Sequence, residues 1–317
     1  MSKFKPTFKR ILEVILTFLI VSLLSFGLMR MSPVDPATAY ARRAMMNPSA
    51  EQIAQIRSDM GLNKAFIVQY GNWMKNALKL DFGKSLVDGK PVWDQLLNAV
   101  PVTIKVVFIA MILEIIGIIL FGPLLYLLRE KKVGMFFSLL TLSAISIPGF
   151  YIASVYLDIF AVKWGAISVA GNVGFMKYFH PAICLSIAPM AFYARLLFRN
   201  LERESDSDYV FYARCRGLSE IRILFNHTIA HGIIALVPSF LQSIGLTLAG
   251  AAMIERVFSL PGLGYLIIDS VLNRDSPMIH LSVLFLAVML VIFNVLSDYV
   301  QELLQKNKLI KSGDALC

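Results

Sequence analysis

Apolar residues along this chain gather into long runs rather than being dispersed among polar ones. A helix needs roughly 20 apolar residues to cross about 30 Å of hydrocarbon. Six stretches qualify: Ile11–Met29, Val100–Leu128, Val133–Val162, Tyr178–Leu197, Gly232–Ile254 and Ile279–Val300. The pattern predicts an all-α integral membrane protein with six transmembrane helices. The first run is too long for the apolar region of a cleavable signal peptide, and no small-residue cleavage site follows it before Ser32-Pro33. It is expected to remain as the first span.

Between the first two spans lies a segment, residues 32–98, that reads as folded. Ser49-Ala50-Glu51-Gln52 has the pattern of a capping box, followed by Ile53, Ile56 and Met60 on one face and Gly61 as a stop. A second helix is expected to carry Phe66, Tyr70, Trp73 and Ala77 on one stripe before Asp81-Phe82-Gly83 ends it. Those aromatic residues suit a small packed cap better than a ligand box. Inside the spans, Pro148-Gly149, Pro181, Pro189 and Pro238 are each expected to kink or break their helix, because proline removes a backbone donor and clashes with the preceding turn. Broken helices in lipid survive where neighbours or a wet cavity satisfy the freed groups. Several in one bundle favour a moving protein that lines a pathway. The chain then divides into a tail and first helix (1–31), an extracytoplasmic helical segment (32–98), a five-helix core (99–304) with a cytoplasmic loop at about 199–231, and a second tail (305–317).

Composition sharpens this picture. The chain is 57% hydrophobic and 16% charged, against about 45–50% and 25% in ordinary soluble domains. That excludes a cytosolic enzyme and a disordered chain, and three scattered cysteines (Cys184, Cys215, Cys317) exclude a disulfide scaffold. A net charge of +9 could suggest nucleic acid, but its placement orients a membrane protein instead. Lys3, Lys5, Lys9 and Arg10 precede the first span, and Arg129, Lys131 and Lys132 separate the second and third. Arg199, Arg203, Arg214, Arg216 and Arg222 lie between the fourth and fifth, and Lys306, Lys308 and Lys311 follow the last. The positive-inside rule then puts both termini in the cytoplasm. The opposite short loops carry only Lys163 and Lys177, or Arg256 and Arg274.

The most polar inner stretch runs from Arg199 to His231. Ser205-Asp206-Ser207-Asp208 supplies cap residues and acidic charge for a helix start. About two turns follow, with Val210, Phe211 and Ala213 apolar and Arg214 and Arg216 basic. Gly217 suits the left-handed residue that ends a helix, and Ser219-Glu220 starts the next. The prediction is a knob: a short amphipathic helix, a glycine corner and a second helix.

At this segment the sequence resembles the inner-membrane permease subunits of ABC importers, in the dipeptide/oligopeptide/nickel branch. Ala213 and Gly217 reproduce the alanine-to-glycine spacing of that family's cytoplasmic loop, while Phe211 and Tyr212 replace its leading Glu-Ala, as is common in this branch. Further matches are Asp35–Ala37, Gln69–Trp73, Leu80–Ser85, Ser146–Phe150, Glu255–Gly264 and Asn273–Pro277, in order along the chain. The resemblance implies a type I importer permease fold in a bacterial inner membrane. It implies a homologous second permease, two cytoplasmic ATPases that use ATP and magnesium, an extracytoplasmic binding protein, and no cofactor or catalysis on this chain. Coupling to an ATPase would fall to Asp208, Tyr209, Tyr212, Ala213, Arg214, Arg216, Gly217 and Leu218, with Tyr209, Tyr212, Arg214 and Arg216 as docking surface. The outer segment from Asp35 through Ser85 is most similar to nickel-type permeases, with peptide permeases as the alternative.

Gly83-Lys84-Ser85 mimics the end of a phosphate loop, but Leu78 stands where the first glycine is required. His227 and His231 share a helical face without a third ligand near in sequence, and His180 and His280 read as interfacial hydrogen-bonding residues near span ends. Met29, Met31, Met45 and Met46 are soft groups that usually only pack. Glu114 and Asp158 stand out, since a charge at a helix centre costs about 2.5–3.5 kcal/mol and marks a pathway by default. With Ser146 and Pro148 at the expected break, they are the candidate pathway residues. A secondary transporter would show internal repeats and more intramembrane charge, and a membrane enzyme would show clustered polar groups. Neither pattern is present in the sequence.

Overall fold

The computed structural model describes the backbone of residues 4–31, 35–168 and 174–313, and the side chains of 12–28, 31, 35–168 and 174–304. The basic side chains at the two ends, Met29, Ser32-Pro33 and Cys317 lie outside those described. In chain order the helices are α1 (Phe4–Arg30), α2 (Pro36–Ala44), α3 (Ala50–Asp59), α4 (Phe66–Ala77), α5 (Val92–Leu128), α6 (Lys132–Ser146) and α7 (Gly149–Leu157). They continue with α8 (Met176–Ser205), α9 (Asp208–Cys215), α10 (Glu220–Ile223), α11 (Ile229–Val257), α12 (Leu263–Leu272) and α13 (Ser276–Gly313). Single π-helical turns follow α7 (Asp158–Lys163) and α10 (Leu224–Thr228). Among the described residues the only strand-like pairing is an isolated bridge between Lys84 and Pro91.

Four helices are long and apolar enough to cross a membrane: Val92–Leu128, Met176–Ser205, Glu220–Val257 and Ser276–Leu304. The third expected span is instead a bent pair, Lys132–Ser146 and Gly149–Lys163, turned by 100°. Proline is the cause. The residue before it is driven out of the helical region, and Ile147 is extended (φ −88°, ψ 127°). The first expected span lies in α1, whose described apolar stretch is Leu12–Leu28. By length and composition the described residues hold four spans, or five with the bent pair, and the first expected span lies in α1 beside them. The other three prolines do not break their helices: Pro181 and Pro189 sit within continuous α8, and Pro238 within continuous α11. A helix in lipid has no water to take over freed backbone groups. Beside Pro238, the Ser297 hydroxyl of α13 donates to the Pro238 carbonyl at 2.7 Å.

The chain forms two compact units. One comprises residues 1–103 and 260–292. Its helices start where the local chemistry predicts. Ser49 and Gln52 make the reciprocal capping box at 2.8 and 3.2 Å, and Gly61 turns the chain with φ +68°. On α4, Tyr70 and Trp73 pack against Phe26, with ring centroids 5.6 and 5.1 Å away. His280 stacks on the same ring at 4.3 Å and shares a hydrogen bond with Ser25 Oγ at 2.6 Å. It is buried, and the hydrogen bond expected of it is made within the chain. A core of Phe82, Val92, Leu96, Leu263, Met278 and Leu281 lies beside them. Two distant motifs meet here: Asp275 accepts hydrogen bonds from the Ser85 hydroxyl and from the Leu86 amide (3.0 Å).

The other unit comprises residues 104–259 and 293–317. Tyr193, Leu197 and Leu201 of α8 pack with Ile118 and Tyr126 of α5 and with Leu236 and Phe240 of α11. Small residues allow the close approach that drives helix association in lipid. A Cβ on Gly117 would fall 2.0 Å from Met190 Sδ, and one on Gly122 would fall 2.7 Å from Leu197.

Candidate functional site

The polar knob folds as expected and explains a motif spacing. α9 ends in two diagnostic bonds, Gly217 N–H to the Arg214 carbonyl (2.9 Å) and Leu218 N–H to the Ala213 carbonyl (3.2 Å). Together they form a Schellman motif, with Gly217 as the left-handed residue at φ +77°. Its usual apolar contact is present too, since Leu218 packs against buried Val210, Ala213 and Ile223. The alanine must be small because it is buried, and the glycine four residues on must be left-handed. The N-caps differ from expectation: Ser207 Oγ donates backward to the Glu204 carbonyl, and neither Ser207 nor Ser219 caps with its side chain.

The expected docking residues divide into two groups. Tyr212 projects outward, 67% exposed, with Asp208 and Arg216 exposed beside it. Phe211, which is not among them, is 62% exposed on the same tip. Arg214 is exposed too, but its guanidinium is engaged within the knob. Its guanidinium grips Glu220 at 2.7 and 3.3 Å and donates to the Ser205 carbonyl at 3.2 Å. The bond to Glu220 holds this guanidinium above its ordinary range. Tyr209 is tied back as well, with its hydroxyl donating to Glu204 at 2.7 Å and its ring 5.4 Å from His231. Burial, then the Glu204 bond, pushes its phenol up to about 12. The knob is therefore a braced corner with two aromatic side chains on its tip.

The four pathway candidates are not gathered into one cluster of contacts. Ser146 and Pro148 adjoin at the break, where the Ser146 hydroxyl donates to the Leu142 carbonyl. Asp158 is not mid-span. It opens the π turn at the end of the second arm and pairs with Lys163 at 2.7 Å, both side chains more than half exposed. The wider π turn brings residues five apart onto one face. Glu114 is 1% exposed, and its Oε1 has no hydrogen-bond partner among the described residues. It lies one turn before Gly117 and Ile118, on the face of α5 that packs on α8.

Sequence reasoning missed Arg195, which lies within the fourth span and bonds to Ser138 and Thr141 of α6 at 2.9–3.3 Å. A lone arginine in an apolar run was the available signal. The histidines make local bonds, His231 Nδ1 to the His227 carbonyl (2.9 Å) and His180 to the Tyr156 hydroxyl (2.8 Å). Among the described residues no group of three or more His, Cys, Asp or Glu could hold a metal ion.

Residues 115–309 match the family described as binding-protein-dependent transport system inner membrane component, and residues 1–107 match its N-terminal companion. The chain belongs to that family. The permease is 32% identical over 299 residues to a Brucella suis protein named for a peptide transport system permease, covering 92% of this chain and 94% of that one. It is 30% identical over 302 residues to the metal-staphylopine import system permease CntB of Staphylococcus aureus, covering 95% and 97%. Identity is also 30% over 310 residues to the nickel import system permease NikB of the same species, covering 98% and 93%. Among solved structures, the inward-facing MetNI methionine ABC transporter aligns with a TM-score of 0.53 and 18% identity, over 67% of this chain and 95% of that one. That likeness supports the type I importer fold. The permease is a multi-pass inner-membrane protein of the peptide/nickel branch of ABC importers, a transport component rather than an enzyme.

Proposed function

We propose that this permease pairs with a homologous permease to form the path by which nickel, or a nickel chelate, enters the cell. Two cytoplasmic ATPases would supply the work by hydrolysing ATP with magnesium, and an extracytoplasmic binding protein would deliver the cargo. Both termini and the α9 knob lie in the cytoplasm, and residues 32–98 face outside. Arg129, Lys131, Lys132, Arg199 and Arg203 on the inner side support that orientation.

The observation that carries the reading is the braced corner at Gly217. A part that passes on a rigid-body movement must be stiff at its base and offer side chains at its tip. The Schellman turn and the Arg214–Glu220 bridge supply stiffness, and Phe211 and Tyr212 supply an apolar tip for an ATPase cleft. The most apolar window of the last span is only 22% buried by the chain itself, leaving surface for lipid and for a second permease.

The nickel reading is supported by the NikB and CntB relatives at 30% identity. Peptide import is the second reading, favoured by the Brucella relative at 32%. Elemental analysis of cells with and without the gene, in excess dipeptide, separates them. Gene-dependent nickel that dipeptide does not suppress supports the metal reading. Nickel unchanged by the gene refutes it and turns the weight to peptides.

A further inference from the structure

In the second unit, α8 carries an arginine whose bonding is half complete. Arg195 donates to the Ser138 carbonyl, the Ser138 hydroxyl and the Thr141 hydroxyl of α6 at 2.9–3.3 Å, and all of these bonds run through Nη1. A guanidinium holds its N–H donors in a planar fork. Nε and Nη2 have no partner among the described residues, and neither is sealed from the surface. A brace between α6 and α8 thus accounts for one corner of the group. The open edge is the one that grips two oxygens of an anion side by side.

Phe192, Arg195 and Arg199 stand at i, i+3 and i+7, so they share one face of α8. Phe192 and Arg199 are exposed and Arg195 is half-buried. Among the described residues neither arginine is in an ion pair. No acidic residue occurs on α6, or on α8 before Glu202. At 1.5 Å per residue, Arg199 lies about 6 Å nearer the knob end of α8 than Arg195, and Phe192 about 4.5 Å further from it. Ser138 is likewise about 9 Å along α6 from Lys132, where exposed Arg129, Lys131 and Lys132 cluster. Beside Ser138, Met135, Leu139 and Leu142 form an exposed apolar stripe on α6.

We propose that this face binds an anionic phospholipid of the inner leaflet. The phosphate oxygens accept from Arg195 Nε and Nη2 and from Arg199, and an acyl chain runs past Phe192 and Leu139. The order along α8 is exposed cation, half-buried cation, aromatic ring, which matches the order of surface, phosphate and hydrocarbon in a leaflet. A free phosphate would satisfy the arginines, but the apolar surface that continues beyond them fits a chain attached to it. A zwitterionic headgroup brings its own cation, so a net negative one is favoured where no acid offsets the arginines. Basic pockets between helices on the cytoplasmic side are a recognised setting for anionic headgroups. The inference takes from the proposed function only the cytoplasmic placement of the α5–α6 loop and the knob.

The test titrates the full chain in detergent with phosphatidylglycerol or phosphatidylcholine of the same acyl chains and counts bound lipid by native mass spectrometry. The tightest phosphatidylglycerol site should fill at concentrations where phosphatidylcholine leaves it empty. Arg195→Gln keeps a donor for Ser138 and removes the charge, so it should weaken that site about tenfold, the value of one charge-assisted hydrogen bond. Arg199→Gln, at an exposed position where folding is not at stake, should weaken it about fivefold. Arg222→Gln, exposed on α10, removes the same charge elsewhere and should leave it unchanged. Equal binding of the two lipids, or phosphatidylglycerol affinity untouched by both Arg195→Gln and Arg199→Gln, would overturn the proposal. An equal loss in Arg222→Gln would reduce the effect to net charge and overturn it as well. Displacement of the lipid by inorganic phosphate would assign the arginines to a soluble anion instead. Lipid binding is read here without cargo or ATP, so its failure leaves the importer reading standing. A permease that binds the lipid but carries no nickel keeps the site and loses the nickel reading.

Discussion

Gly217 allows backbone strain and bulk to be separated at one position. Its φ of +77° is left-handed, and a Cβ placed there meets nothing within 4 Å. A substitution thus pays no steric penalty against neighbours, only the conformational one of about 1–2 kcal/mol for an ordinary residue. Opposing that strain is the small cluster beneath the corner. Val210 and Ile223 are essentially fully buried, and such side chains contribute about 1.5–3 kcal/mol each. Gly217→Ala should therefore leave the corner formed but raise its local opening roughly 5- to 30-fold, the equivalent of that strain. Asparagine tolerates the left-handed region and should cost less. Tryptophan adds to the same strain a large side chain standing out from the docking tip. Uptake per membrane-inserted protein should then fall in the order glycine, asparagine, alanine, with tryptophan abolishing it and co-purification of the ATPase lost. Normal uptake by Gly217→Trp at normal expression would refute the coupling role. Equal losses for alanine and tryptophan would refute the docking argument while sparing the strain.

Arg214→Ala and Glu220→Gln should each loosen the α9–α10 corner by about 0.5–1 kcal/mol, modest because both side chains are more than a third exposed. The measurement is hydrogen exchange at Gly217 and Leu218, and the swapped pair Arg214→Glu with Glu220→Arg should restore part of the protection. Asp275→Ala strips the partner from the Ser85 hydroxyl and the Leu86 amide. It should lower the thermal midpoint in detergent by an amount equivalent to about 2–4 kcal/mol, whereas Ser85→Ala, which keeps the Leu86 bond, should cost less. Glu114→Gln should reduce uptake at normal expression, and Asp158→Asn, half-exposed in its pair with Lys163, should change stability by under about 1 kcal/mol. Uptake unchanged in both would remove these two residues from the pathway.

What the sequence determined by itself was set by rules that act over a few residues. The capping box at Ser49 and Gln52, the left-handed corner at Gly217 and the helix end before Pro148 each depend on local dihedrals and local donors. Long apolar runs likewise declare membrane helices, because the bilayer imposes one length on all of them. The motif comparison went further, and its alanine-to-glycine spacing proved to be one Schellman turn. Partner choice was the tertiary structure's to decide. No local rule brings Asp275 to Ser85 across 190 residues, or buries Glu114 against α8 while leaving Asp158 half in the open. Nor could spacing say which prolines break a helix. Pro148 ends α6 with an extended residue before it, while Pro181, Pro189 and Pro238 run on inside helices. What surrounds a freed carbonyl or a buried carboxyl depends on which other segments arrive beside it, and the path of the whole chain decides that.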